Sequence, residues 1–207
     1  MLAALVLLAV TTAAPAAAGD AASVVARVQA FYDRTKDLTA RFQQTYTYSG
    51  FGRKQVSSGK LLVKKPGMMR WDYEDPEPKT VAVKGSRLVQ LEPEENQAYV
   101  DEKFDSTALS AAVTFLLGKG DLAKDFTASL DPGGGALLLV PRVADPRVAS
   151  VALTVAEDGR VTATRVIDGA GNVNEIRFED VKRNVGLSDA EFDVKLPAGV
   201  RRLAPPG

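Results

Sequence analysis

Met69, Trp71 and Tyr73 stand two residues apart, and Arg70, Asp72 and Glu74 alternate with them. On an extended strand the first three share one face and the last three the other. That spacing allows two kinds of chemistry. Asp72 and Glu74 form a candidate acid/base pair, while the apolar row offers a wall for a greasy guest. Both carboxylates face away from the apolar row, so solvated positions fit them better than catalytic ones. Lys64 and Lys65, just upstream, read on composition alone as a solvated strand end.

Composition removes most of the remaining catalytic options. The 207 residues contain no histidine and no cysteine, so Ser-His and Cys-His nucleophile pairs are impossible and the usual zinc ligands are absent. Gly133-Gly134-Gly135 is not followed by Gly-Lys-Ser/Thr and reads as a tight turn, not a phosphate loop. The 26 basic and 26 acidic residues balance, which gives the chain as a whole no electrostatic pull toward nucleic acid or a membrane surface. No cofactor and no metal site is expected.

Met1 to Ala18 has the form of an export signal. An apolar run from Leu2 to Val10 precedes Pro15 and the small-residue site Ala16-Ala17-Ala18. The run is too short to span a bilayer. No Lys or Arg precedes it, which places the true start upstream of Met1 as an open alternative. Cleavage there would leave about 189 residues from Gly19, expected to form one domain without disulfides. A lipoprotein anchor needs a cysteine after the cleavage site, so the mature chain is expected to be soluble, unanchored and monomeric.

The elements that position these residues follow from periodicity. Residues 21–37 carry Val24, Val25, Val28, Phe31 and Tyr32 at helical spacing, with Asp20 or Ser23 as cap. Strands are expected near 39–48, 54–65, 68–75, 79–84, 87–92, 97–102, 124–130, 135–141, 149–156, 160–168 and 173–182. Lys84-Gly85-Ser86, Glu157-Asp158-Gly159 and Asp168-Gly-Ala-Gly171 supply hairpin turns. Short links imply a continuous antiparallel meander. Thr107 to Leu117 breaks the pattern as a short Ala- and Leu-rich helix ending at Gly118. About eleven strands in one sheet should curl into a barrel that closes or nearly closes. With only two helices to plug it, the fold is mainly β, with an interior partly filled by helix and partly left as a hydrophobic cavity.

The chain resembles the LolA-type outer-membrane lipoprotein carriers. The likeness is sharpest at Gly59-Lys-Leu-Leu-Val-Lys-Lys-Pro-Gly-Met-Met-Arg-Trp71, similar to that family's Gly-x-Leu-x-Val-Lys-Arg-Pro-x-x-Phe-x-Trp. It extends to Thr39-Ala-Arg-Phe-Gln-Gln44, to Val83-Lys-Gly-Ser-Arg-Leu-Val89 and to Phe192-Asp-Val-Lys-Leu-Pro-Ala-Gly-Val200. The resemblance implies a periplasmic carrier, not an enzyme, whose unclosed β-barrel is covered by a helical lid enclosing the cavity. Such a carrier takes acylated lipoproteins from a LolCDE-type inner-membrane ABC transporter and passes them to a LolB-type outer-membrane acceptor. The candidate cavity residues are Met69, Trp71, Tyr73, Phe42, Val81, Val83, Phe31, Val113, Phe115 and Leu116. Lys65 aligns with the family's lid-holding Arg, and Met69 stands where many relatives have Phe. The alternatives are a periplasmic sensor, or a carrier of another lipid or glycolipid, built on the same fold.

Overall fold

In this computed structural model residues 20–105, 120–133 and 135–204 are described. Helix α1 spans Ala21–Asp33, and the Asp20 carboxylate accepts a hydrogen bond from the Ala22 amide at 3.2 Å. Val24, Val25, Val28, Phe31 and Tyr32 form its buried stripe. The helix ends before Asp37 because that residue opens the first strand. Its buried carboxylate accepts hydrogen bonds from the amides of Val185 and Gly186, at 2.7 and 3.1 Å.

Twelve strands follow: β1 Asp37–Thr47, β2 Lys54–Lys64, β3 Met68–Asp75, β4 Lys79–Lys84, β5 Arg87–Glu92, β6 Gln97–Asp101, β7 Phe126–Leu130, β8 Ala136–Pro141, β9 Ser150–Val155, β10 Val161–Ile167, β11 Val173–Arg183 and β12 Arg201–Leu203. The start expected for the seventh strand is instead a helical turn, α2 (Leu122–Asp125). Asp121 caps it by accepting from the amides of Ala123 and Lys124. The helix expected over 107–117 lies outside the described residues.

All twelve strands form one sheet in the order β12-β6-β5-β4-β3-β2-β1-β11-β10-β9-β8-β7. The continuous meander is therefore corrected to two meanders, β1–β6 and β7–β11, joined where β1 pairs with β11. The link from β6 to β7 is long enough to carry the chain to the far edge. β12 adds parallel to β6, and among the described residues β7 and β12 are the edges of an unclosed sheet.

One irregularity sets which side chains point inward. Asp180 has φ 51°, and the β1–β11 register shifts between Thr39 and Arg41. The resulting bulge swaps faces, so Ile176 and Phe178 are followed inward by Val181 and not by Asp180. Gly59 marks a second close approach. A Cβ there would lie 2.0 Å from the Asp72 carbonyl oxygen.

The sheet is apolar on both faces. Inside, α1 and the curled strands form the main core. Outside, Met68 and Leu62 pack with Leu187 and Phe192 of the C-terminal segment. Ala82, Val89, Leu91 and Ala98 are buried on that outer face too. This cover corrects the solvated reading of Asp72, which accepts from Arg70 Nε and Thr80 Oγ1, both at 2.7 Å. Glu74 is more exposed and pairs with Lys60 and Arg41.

Candidate binding cavity

An apolar cavity of about 390 Å³ lies inside the curl, within the range of roughly 300–1,000 Å³ common for ligand sites. Strands β9, β10 and β11 supply most of one wall through Val151, Leu153, Val161, Val166, Ile176, Phe178 and Val181. Strands β1 to β3 supply the other through Leu38, Ala40, Leu61, Val63 and Trp71, while Leu122, Phe126 and Leu139 close the side under α1. Polar groups are few, and apart from Thr164 within the β10 wall they sit toward the ends. Tyr32, Thr35, Lys36, Asp37 and Lys65 lie at the end near the C-terminus of α1, with Arg147 and Asn174 toward the other end.

Of the residues expected from sequence, Trp71 and Lys65 border this cavity. Phe42, Trp71 and Tyr73 form an aromatic cluster, with Phe42 4.8 Å from Trp71 and 5.1 Å from Tyr73, both edge-on. Phe42 and Met69 are buried in the main core and are not among the residues that border the cavity. Tyr73 is half-buried, and Lys79 Nζ stands 4.6 Å from its ring centroid. Val81 and Val83 pair with Trp71 and Met69 on β4, away from the cavity. Phe31 is buried beneath the guanidinium of Arg183, 4.7 Å from its ring centroid. Val113, Phe115 and Leu116 lie outside the described residues.

The β9–β11 wall was missed as a lining. Its alternation is visible in Ser150–Val155 and Val173–Phe178, but the bulge at Asp180 breaks the pattern that would place Val181. Phe178 reaches across to Trp71, ring to ring at 6.4 Å, so the two walls meet through aromatic side chains.

Lys65 makes a directed contact at the α1 end of this group. Its Nζ donates to the Tyr32 carbonyl oxygen at 2.6 Å. The carbonyls of a helix's last turn lack intrahelical partners, and a cation is favoured there. Burial lowers the Lys65 pKa, and Asp33 partly restores it. Tyr32 itself is deeply buried, and desolvation pushes its phenol up to about 12 against the Val161 backbone hydrogen bond.

Comparison with known proteins gives this geometry a family. Over residues 33–195 the chain matches the family model described as outer membrane lipoprotein carrier protein LolA. It is 31% identical to an outer-membrane lipoprotein carrier protein of Azotobacter vinelandii, covering 84% of this chain and 85% of that one. It is 30% identical to one of Pseudomonas aeruginosa, covering 87% and 88%. Among solved structures, an uncharacterized conserved protein from Thermus thermophilus aligns with TM-score 0.54 at 15% identity, over 89% of this chain and 98% of that chain. The MucA/MucB complex structure from Pseudomonas aeruginosa aligns at 0.50 and 14% identity, over 84% of this chain and 61% of that chain. At such identities these two establish the fold alone. The match across both walls and the intervening turn shows that the chain belongs to the LolA family of outer-membrane lipoprotein carrier proteins.

Proposed function

We propose that the protein is a periplasmic carrier that shields the acyl chains of lipoproteins on their way to the outer membrane. The observation that carries this reading is an apolar cavity of about 390 Å³ in a chain of the LolA family. Burial stabilises a hydrocarbon chain by about 0.8 kcal/mol per CH2, so an acylated protein crosses water only inside such a host. The wall suits a guest without fixed shape. It is built mostly of aliphatic side chains, with Trp71, Phe126, Phe178 and Tyr32 as the larger groups, and it presents few polar atoms that would demand a particular partner. The role needs no covalent step.

Residues 1–18 act as the export signal in this reading, and the remainder is one carrier domain working as a monomer. Cargo comes from a LolCDE-type transporter and leaves to a LolB-type acceptor. Met69, Phe42, Phe31, Val81 and Val83 shape the wall from behind, while Trp71 contacts the chain and Tyr73 extends the aromatic cluster. Lys65 serves as a latch that holds α1 over the cavity. It stands in for the family's Arg with a single directed hydrogen bond instead of a planar fork of donors.

The test is to incubate the purified mature protein with inner-membrane vesicles carrying a labelled lipoprotein and analyse the soluble fraction by native mass spectrometry. A one-to-one complex with acylated lipoprotein is the expected result. Bound free lipid, or a stable complex with a regulatory protein and no lipoprotein, overturns it in favour of another carrier role or a sensor.

A further inference from the structure

The β1–β2 hairpin ends in a protruding tip that the cavity does not use. Phe51 at its apex is 94% exposed, with Tyr48 38% and Val56 52% exposed nearby. Nothing lies within 4 Å of where a Cβ would stand on Gly50 or Gly52, so the phenyl ring projects into open solvent. The tip is nonetheless well ordered by hydrogen bonds. The Tyr48 amide donates to the Arg53 carbonyl and the Gly52 amide to the Tyr48 carbonyl, each at 2.9 Å. Tyr46 and Tyr48 stack edge-on at 4.7 Å.

Two further loops are tied to it. The Ser49 amide donates to Asn172 Oδ1 at 3.1 Å, and Ser49 Oγ donates to the Ala170 carbonyl at 2.8 Å. The Gly169 amide donates in turn to the Pro146 carbonyl at 2.9 Å. The three loops thus share one end of the sheet, and Val143 there is 81% exposed as well.

The charge of the hairpin tip itself is positive. From Thr45 to Ser58 the chain carries two cations, Arg53 and Lys54, and no Asp or Glu. Among the described residues, Arg53 and Lys54 beside Phe51 have no ion-pair partner. Arg142 adds one more cation, while the nearby carboxylates of Asp145 and Asp168 are engaged internally. Asp145 binds Arg147, and Asp168 accepts from Ala170 and Asn172. Glu77, Glu92, Glu94 and Glu95 lie at the same end but beyond β3, beside the links among β3–β6.

We propose that this hairpin tip docks the protein on an anionic lipid bilayer, with Phe51 inserted at the headgroup level and Arg53 and Lys54 against the lipid phosphates. A projecting aromatic flanked by glycines and unpaired cations matches interfacial anchors. A protein partner would call for a broader apolar patch than this narrow tip. The acidic links hold the β4–β6 side away from the lipid, so the hairpin leads. The proposal does not rest on the carrier reading, and Phe51 lies outside the cavity lining.

The test is co-sedimentation of the mature protein with vesicles of phosphatidylethanolamine and phosphatidylglycerol, compared with vesicles of phosphatidylcholine alone. Binding should favour the anionic vesicles and weaken as salt screens the cations. Phe51→Ser should weaken it roughly tenfold, with unchanged thermal unfolding because the ring has little folded environment to lose. The double variant Arg53→Glu/Lys54→Glu should abolish the anionic preference. No vesicle binding, or binding unchanged in Phe51→Ser, overturns the proposal. So does a Phe51→Ser variant that still binds vesicles but no longer captures a membrane protein. Lipoprotein uptake in vesicle-free solution reads the carrier role separately, so either idea can fail alone.

Discussion

The ammonium group of Lys65 donates a hydrogen bond to the carbonyl oxygen of Tyr32, 2.6 Å away, and so ties the β2–β3 turn to the last turn of α1. The acceptor is backbone, which makes the contact independent of the side chain at position 32. Lys65→Ala should cost about 1 kcal/mol, as for a partly exposed charged hydrogen bond. Hydrogen exchange should show α1 opening more often, and Lys65→Arg should restore protection. Equal protection in Lys65→Ala and the parent would deny the latch.

Trp71 is the chain's only tryptophan and it borders the cavity. An acyl guest should therefore shift its fluorescence. Titration with a long-chain fatty acid or a lipoprotein acyl peptide is expected to move the emission to the blue and saturate. A Phe178→Ala variant, which removes the ring 6.4 Å away, should enlarge the site and change the shift.

Met69 and Ile176 should respond differently to a buried carboxylate. Met69 is 6% exposed within the packed core, so Met69→Glu should lower stability by a few kcal/mol. Ile176 is half-buried and borders the cavity, where Ile176→Glu can hydrate. It should leave the melting temperature closer to that of the parent while abolishing acyl binding. Thermal unfolding and the Trp71 titration read the two effects separately.

The strands were legible because each carries its own alternation and its own turn. Lys79–Lys84 and Arg87–Glu92 are hairpin arms around Lys84-Gly85-Ser86, and both bounds agree with expectation. What no local pattern encodes is the pairing of β1 with β11, since residues on opposite sides of the sequence choose each other by the shape of the closed curl. Arg201–Leu203 is too short to alternate, and it is a strand only because β6 offers a free edge. The cavity was half legible for the same reason. Trp71 announces itself by size, whereas Val181 lines the site only because Asp180 takes a left-handed conformation.

Tyr32 makes stability fall at alkaline pH. Burial pushes its phenol up to about 12 from the ordinary 10.0, so its contribution is complete below about pH 10. The unfolded phenol ionises first, and the stabilisation is lost as pH rises through the folded value, by about 3 kcal/mol in all. Lys65, whose pKa burial lowers, works in the opposite sense. Urea unfolding of the parent and Tyr32→Phe should diverge between pH 10 and 12, with the variant losing less.

Acid should loosen the C-terminal segment. The Lys64 hydrogen bond, then its charge, holds the Asp189 carboxyl below its ordinary value. The pair therefore contributes fully above about pH 4 and fades as pH falls through the depressed value. Lys64 Nζ also donates to the Leu187 carbonyl at 2.7 Å, so amide exchange at Leu187 to Phe192 should rise at acid pH. Lys64→Met should show that faster exchange already at pH 7.

The central claim is that a lipoprotein's acyl chain lies within this curl, and adjacent residues of β11 test it most directly. Ile176 borders the cavity while Arg177 is exposed on the opposite face. A photoreactive amino acid placed at each position in turn, followed by loading from inner-membrane vesicles and illumination, reads the two faces one residue apart. Crosslinking of the lipoprotein's acylated N-terminus at 176 and not at 177 is the predicted result. Equal crosslinking at both, or crosslinking at 177 alone, would contradict the account.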